Sequence, residues 1–181
     1  MHGDARAWVK RSLKQYAVAG HDLRGFVLDI GSRDVNGTIR DQFEGPGYLG
    51  CDMVAGPNVH LVGHAGDLTF CDGFFDCIVS CEALEHDLRW EHTLNNAVRM
   101  LRPGGLLVIT CASPTRGEHG TARSLPEDCP GLPWPNYYRG LTPEDFAYAF
   151  GGANAFARLW SRMQFDSGNY GHDTYFWGIR R

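Results

Sequence analysis

The chain has 181 residues, of which 43% are hydrophobic and 21% are charged. This composition is ordinary for a single globular domain with a sizeable core, and we treat residues 1–181 as one domain. The formal net charge of −4 argues against an extended electrostatic surface for nucleic acid. No apolar stretch is long enough to span a membrane, and no apolar signal core follows Met1. We therefore expect a cytoplasmic protein without a membrane partner.

The six cysteines show no C-x-x-C pairing, and four of them lie in or beside apolar runs typical of strands. This placement favours buried, reduced thiols over disulfides or a zinc site.

Helical and strand patterns alternate along the chain. Val9, Leu13 and Tyr16 share one face of a first predicted helix, and Leu94, Ala97 and Leu101 share one face of a second. Strands are predicted from short apolar runs at 26–30, 48–52, 59–62, 75–81 and 106–111. Pro103, Gly104 and Gly105 should separate the second helix from the last of these strands.

The C-terminal part predicts one more helix and two strands. Thr142, Pro143 and Asp145 are typical of a capped helix start, and that helix should end near Phe150. Residues 155–163 and 174–179 follow as two strands with no helix between them. This order predicts a mostly parallel sheet in a three-layer α/β/α, Rossmann-like fold with an antiparallel C-terminal strand.

A long segment at about 112–140 has no regular pattern and is rich in Pro, Gly, Trp and Tyr. It is too long for a simple connection, and it leaves the predicted sheet at the carboxyl end of a strand. Ligands bind at that edge in open α/β sheets, so we expect the segment to wall a substrate site.

Two strand ends point to a cofactor that contains adenosine. The first is V-L-D-I-G-S-R-D-V-N-G (27–37), in which a buried strand ends in an acid and opens into small residues that let a ligand approach. The second is Y-L-G-C-D (48–52), where Asp52 is spaced to bind a ribose diol.

These motifs make the chain resemble the class I S-adenosylmethionine-dependent methyltransferases, in their small type 11 branch. The resemblance runs from about Arg24 to Cys111. It rests on the ordered motifs V-L-D-I-G-S (27–32), Y-L-G-C-D-M (48–53), A-G-D-L (65–68), D-G-F-F-D-C-I-V-S-C-E-A-L-E-H (72–86) and L-R-P-G-G-L-L-V-I-T (101–110).

The resemblance implies a methyltransferase with S-adenosyl-L-methionine as its cofactor. It assigns the methionine half of the cofactor to the first motif, the ribose to Asp52, the adenine edge to residues 64–68, and the sulfonium to the end of the fourth strand. The cofactor-binding residues implied in this way are Asp29, Gly31, Ser32, Arg33, Asp52, Met53, His64, Ala65, Asp67, Leu68, Ser80, Cys81 and Glu82.

Two positions depart from the family pattern. The glycine loop usually reads G-x-G-x-G, whereas here Arg33 and Val35 stand where the later glycines occur; Arg33 either pairs with the cofactor carboxylate or is a solvated loop residue. His64 stands where the family commonly has an acid that contacts the adenine amino group. A neutral imidazole nitrogen accepts the same hydrogen bond.

Methyl transfer from a sulfonium mainly requires alignment and exclusion of water. A hydroxyl acceptor must also lose its proton, for which a histidine is suited. His86 and His119 are the two candidate bases; for His86 the alternative is a structural hydrogen bond to Glu82 or Glu85. Glu82, Glu85 and His86 together suggest a metal site, but the sequence shows none of the expected partner ligands, so no metal site is expected.

The predicted acceptor is a small molecule, for example a sugar or a secondary-metabolite hydroxyl. Its binding residues are predicted in the long segment as Glu118, Trp134, Tyr137 and Tyr138. The main alternative is a non-catalytic cofactor-binding or interaction module. A nicotinamide-dependent oxidoreductase, which would need G-x-G-x-x-G, and a macromolecule methyltransferase rank below it. The sequence leaves the oligomeric state open.

Overall fold

The structure, a computed structural model, describes residues 3–43 and 47–181. These residues form a seven-stranded sheet with helices on both faces. The strands are β1 (Val27–Ile30), β2 (Tyr48–Asp52), β3 (Leu61–Val62), β4 (Phe75–Cys81), β5 (Leu101–Ala112), β6 (Trp160–Gly168) and β7 (Asp173–Arg180). The helices are α1 (Gly3–Val18), α2 (Trp90–Met100), α3 (Pro143–Ala149) and α4 (Ala153–Arg158).

The strand order is β3-β2-β1-β4-β5-β7-β6. All pairs from β3 to β5 are parallel, and β7 runs antiparallel to both of its neighbours, β5 and β6. This arrangement confirms the expected Rossmann-like α/β fold with an antiparallel C-terminal strand.

Alternating side chains of the central strands fill two cores, one on each face of the sheet. Cys77 and Val79 of β4 pack with Trp8 and Val9 of α1. Ile78 packs on the opposite face with apolar residues of α2. Because both faces of β4 are buried, its sequence is a continuous apolar run, as in parallel strands generally.

Four of the six cysteines are buried thiols, as expected from the sequence: Cys51, Cys77, Cys81 and Cys111. Helix α3 begins with a reciprocal cap, in which Thr142 accepts from the Asp145 backbone and Asp145 accepts from the Thr142 backbone. None of the helices in the described ranges is long and apolar enough to cross a bilayer.

Three strand predictions were wrong in part. The strand predicted at 155–163 is α4 followed by β6, because Phe156 and Trp160 stand four residues apart and both face the core. Strand β5 begins at Leu101 rather than 106, since Leu101 pairs with Phe75 and the Pro-Gly-Gly stretch forms an irregularity within the strand. The predicted third strand shortens to Leu61–Val62.

Candidate active site

A cleft opens at the carboxyl ends of β1, β2, β3 and β4. The chain crosses from one side of β1 to the other between β3 and β4, so the cleft lies where the strand order reverses. Open α/β sheets bind their ligands at such a position. The cleft is lined by Ile30, Gly31, Arg33, Val35, Asn36, Gly37, Cys51, Asp52, Met53, Val54, Gly63, His64, Ala65, Cys81, Glu82, Ala83, Leu84, His86, Asp87, Asp128, Cys129, Pro130 and Leu132.

The chain turns sharply at Gly31, directly after β1. Gly31 has φ of 76°, and a Cβ atom there would lie 2.4 Å from Cβ of Ala83. The position therefore requires glycine both for its backbone conformation and for its close contact with the loop after β4. Ser32 follows, but its hydroxyl donates to the Asn58 carbonyl at 3.2 Å, and the residue is buried outside the cleft lining.

Asp29 lies behind the cleft wall rather than in it. Its side chain is buried and accepts a hydrogen bond from the Tyr48 hydroxyl. Burial raises the pKa of this carboxyl from 3.8 to about 7, although the hydrogen bond from Tyr48 acts in the opposite direction. Its role in the structure is to join β1 to β2.

Asp52 lines the cleft at the end of β2. One carboxylate oxygen accepts from the backbone N–H of Val54 at 2.9 Å, and the other from that of Arg33 at 3.2 Å. Each oxygen has a second lone pair, so the carboxylate can still accept from two hydroxyls. The Arg33 guanidinium donates to the Pro130 carbonyl at 2.6 Å, which ties the glycine loop to the segment that covers the cleft.

Both ring nitrogens of His64 are engaged within the protein. Nδ1 accepts from the backbone N–H of Gly66 at 3.0 Å, so the proton lies on Nε2, which contacts Oδ1 of Asp87 at 2.9 Å. The expectation that His64 accepts the adenine amino group through a ring nitrogen therefore needs correction. The neighbouring Ala65 lies in the cleft and has its backbone at the expected adenine edge.

Asp67 and Leu68 are directed away from the cleft. Asp67 is ion-paired with Arg89 at 2.7 Å and contacts His92 at 3.1 Å, and the Arg89 hydrogen bonds lower its pKa to about 2. Leu68 packs against the core, and its carbonyl accepts from Asn96. Their side chains stabilise the packing of α2 rather than lining the ligand site.

Strand β4 delivers Cys81 and Glu82 to the cleft, whereas Ser80 stays buried outside its lining. Glu82 has a left-handed backbone, with φ of 54°, which is costly for a residue other than glycine. Its carboxylate pairs with Arg116, which also pairs with Asp173 at 2.8 Å. Strained residues of this kind concentrate at functional sites.

The irregular segment between β5 and α3 covers the cleft. It contributes Asp128, Cys129, Pro130 and Leu132 to the lining. Trp134 packs edge-on against the His64 ring, with centroids 5.7 Å apart.

Glu118 instead stabilises the segment itself. Its carboxylate accepts from the Thr121 hydroxyl at 2.5 Å and from Arg123 at 3.0 Å. Tyr137 is half-buried, with its backbone N–H donating to the Trp134 carbonyl. Neither residue lines the cleft.

His86, His119 and Tyr138 form a cluster of three rings beside the cleft. The ring centroids lie 5.1–5.4 Å apart, and the two imidazoles are perpendicular. Burial lowers the pKa of His86 to about 4, with a smaller contribution from His119. Glu85, also fully buried here, has a raised pKa because of burial and the nearby Glu82.

A second opening adjoins the cofactor cleft and shares part of its wall. It is lined by Asn36, Glu82, His86, Arg116, His119, Asp128 and Cys129. Sequence reasoning did not assign Arg116, Asp87 or residues 128–132 to the site. The motif E-A-L-E-H (82–86) places Glu85 next to His86, so the sequence alone indicates that Glu85 lies near the site. The contact between Arg116 and Glu82 joins residues distant in the chain, and the sequence does not indicate it.

Residues 41–109 match the model of the family described as a methyltransferase domain. This part of the chain is therefore similar in sequence to a methyltransferase domain. The match begins after the glycine loop, which is where the sequence departs from the usual pattern. It confirms the resemblance that the motifs indicated, and no curated protein sequence matches the chain.

Solved methyltransferase structures share the fold of this chain at low sequence identity. Phosphoethanolamine N-methyltransferase 2 of Haemonchus contortus, solved with phosphomonomethylethanolamine and S-adenosylhomocysteine, superposes with a TM-score of 0.61 at 14% identity over 94% of this chain and 53% of its own. The chain thus spans about half the length of that protein.

Two further structures are covered over more of their length. The Burkholderia thailandensis 1,6-didemethyltoxoflavin-N1-methyltransferase was solved with 1,6-didemethyltoxoflavin and S-adenosylhomocysteine bound. It superposes with a TM-score of 0.60 at 16% identity over 96% of this chain and 78% of its own. A SAM-dependent methyltransferase of Thermotoga maritima superposes with a TM-score of 0.58 at 14% identity over 98% of this chain and 92% of its own.

Proposed function

We propose that this protein transfers the methyl group of S-adenosylmethionine to a small-molecule acceptor. The observation that carries the proposal is the cleft at the reversal point of the sheet. There Asp52, the backbone at Ala65 and the glycine turn at Gly31 lie together at adjacent strand ends. The family match and neighbours solved with S-adenosylhomocysteine support S-adenosylmethionine as the cofactor.

The cofactor lies across the ends of β1, β2 and β4. The Asp52 carboxylate accepts hydrogen bonds from the two ribose hydroxyls. It uses the oxygen lone pairs that are not engaged by the backbone N–H groups of Val54 and Arg33. The adenine lies at Ala65, and the methionine half extends past Gly31 toward Glu82. A Cβ at Gly31 would close this path through its contact with Ala83.

The second opening is the proposed acceptor site. Glu82 and His86 line both it and the cofactor cleft, so a molecule held there meets the methyl group without a separate substrate domain. The opening is built from a covering segment of the same chain, which suits a small molecule better than a macromolecule. A sugar or secondary-metabolite hydroxyl fits its polar lining of acid, guanidinium and imidazole.

In the reaction the acceptor oxygen forms a bond to the methyl carbon as the carbon–sulfur bond breaks. The electron pair stays on sulfur, which leaves S-adenosylhomocysteine. The hydroxyl proton must also leave, and the proposed base is His86 or His119, which both line the second opening. Buried thiols such as Cys77 and Cys81 agree with a reducing compartment, and we place the protein in the cytoplasm.

The test is transfer of an isotopically labelled methyl group to a panel of hydroxyl-bearing small molecules, followed by mass spectrometry. We expect a labelled product for at least one member of the panel. His119→Ala and His86→Ala should each be compared, with His92→Ala as the control because His92 is exposed on α2. A protein that binds the cofactor but labels no acceptor would support the non-catalytic alternative.

A further inference from the structure

Glu85, His86 and His119 bring three metal-ligating side chains to one point, and we call them the Glu-His-His cluster. Their ligand atoms lie within 4.8 Å of one another. Glu85 and His86 belong to the turn after β4, while His119 comes from the covering segment. The cluster therefore joins the sheet edge to the segment at the proposed acceptor site.

Within residues 3–43 and 47–181, the side-chain polar atoms of Glu85 and His86 have no hydrogen-bond partner. His86 is 3% exposed, and neither of its ring nitrogens has a hydrogen-bond partner. Glu85 is fully buried, and in the described part of the chain no side chain donates to its carboxylate, which the backbone amides of Glu85 and Ala112 approach. Buried polar groups are nearly always paired, because leaving them unpaired destabilises the folded protein.

His119 has the arrangement expected of a metal-binding imidazole. Its Nδ1 lies 3.2 Å from the Gly117 carbonyl, to which it can only donate. The proton is therefore on Nδ1, and Nε2 is left with its lone pair. Metal-bound histidines commonly donate their second ring N–H to a carbonyl in this way, which fixes the ring orientation.

The surroundings also attract a cation. Glu82, Glu85 and Asp173 place three carboxyl groups near the cluster, against the single guanidinium of Arg116. Arg116 is already paired with Glu82 and Asp173. Glu85 forms no salt bridge with any of the described residues, although Arg116 is close enough to lower the pKa of its carboxyl.

We propose that the Glu-His-His cluster binds a divalent transition-metal ion at the acceptor site. Two imidazoles and one carboxylate form the ligand set of catalytic zinc sites that keep an open position and of open iron(II) sites. Imidazole donors disfavour Mg²⁺ and Ca²⁺.

Ligand atoms around Zn²⁺ lie about 3.0–3.4 Å apart, so the distances between the ligand atoms of the cluster must shorten by roughly 1.5 Å on binding. His119, flanked by Gly117 and Gly120 in an irregular segment, can supply that movement.

The catalytic part of this inference rests on the proposed methyl transfer. An acceptor hydroxyl that occupies the open position loses its proton to solvent at a lower pH than it would when free. Its oxygen then attacks the methyl carbon, and sulfur keeps the electron pair of the bond that breaks. The metal ion is unchanged, and it performs the activation that either histidine alone would perform as a base.

Calorimetric titration with zinc chloride tests the binding part, on protein first stripped with a chelator. We expect one Zn²⁺ per chain, with affinity lowered at least ten-fold in His119→Ala and in Glu85→Gln. His92→Ala is the matched control and should bind as the wild type does, and unfolding midpoints establish that each variant is folded. Absence of Zn²⁺ binding in the wild type, or wild-type affinity in a folded His119→Ala, would overturn the proposal.

Two further readouts separate this proposal from the proposed function. S-adenosylhomocysteine affinity, measured on the same samples, should be the same with and without Zn²⁺. If the metal binds and the nucleoside does not, the metal site stands and the methyltransferase proposal fails. Methyl transfer to a hydroxyl acceptor should fall at least ten-fold after chelation and return with Zn²⁺. Turnover that is indifferent to chelation would remove the metal ion from catalysis.

Discussion

His64 donates its Nε2 proton to Asp87, 2.9 Å away, and the two side chains are 8% and 9% exposed. Asp87 also accepts from the Thr93 hydroxyl at 2.5 Å and from the Arg89 backbone at 2.7 Å. The pair thus fixes the turn that carries the adenine edge onto the start of α2. A histidine suits this position because its neighbour is already an acid.

Restoring the acid that is usual in the family should therefore destabilise this protein. His64→Asp places two carboxylates side by side in a buried site and removes the donor to Asp87. We expect a loss of about 3 kcal/mol or more in the free energy of unfolding, measured with urea. In an Asp87→Asn background, the same substitution should lower the free energy of unfolding by clearly less. Equal costs in the two backgrounds would show that the pair is not coupled.

Gly31→Ala should disrupt the turn after β1. The left-handed backbone costs a non-glycine residue roughly 1–2 kcal/mol, and the new Cβ would meet Ala83 at 2.4 Å. Gly20→Ala is the matched control, since Gly20 also has a positive φ (85°) but nothing lies within 4 Å of its Cβ position. Thermal unfolding should show a larger loss for Gly31→Ala than for Gly20→Ala. Similar losses would mean that the contact with Ala83 is of no consequence.

Asp29 should make the stability of the ligand-free protein depend on pH. Its pKa is about 7 in the folded protein, against 3.8 for the free group, so the folded state holds a proton that the unfolded state has released. Stability should fall as pH rises from about 4 to about 7, by an amount on the order of 4 kcal/mol. Asp29→Asn keeps a partner for Tyr48 and should lack this fall. Parallel pH profiles for the two proteins would contradict the raised pKa.

Local sequence signals were enough for the strands that build the cofactor site. Tyr48–Asp52 and Phe75–Cys81 were predicted with the bounds that the structure shows, because each is an apolar run bounded by turn residues. The segment 155–163 failed because, over so few residues, alternating apolar positions do not distinguish a short helix from a strand.

The details of the site depend on contacts between residues distant in the chain. The sequence does not reveal that Asp67 pairs with Arg89, or that His64 forms a hydrogen bond with Asp87. It also does not reveal that His119 meets His86, and for that reason a metal site was not expected from E-A-L-E-H alone. Each of these pairs joins residues that are distant in the chain and that only the fold brings together.

Binding of S-adenosylhomocysteine at Asp52 tests the central claim most directly. In a calorimetric titration we expect one molecule bound per chain and no binding of NAD. Asp52→Ala should weaken the affinity roughly ten-fold or more, because it removes charge-assisted hydrogen bonds that contribute about 1.5–3 kcal/mol. Asp166→Ala, at an exposed position of β6, is the control. Absence of S-adenosylhomocysteine binding, or unchanged affinity in Asp52→Ala, would contradict the account.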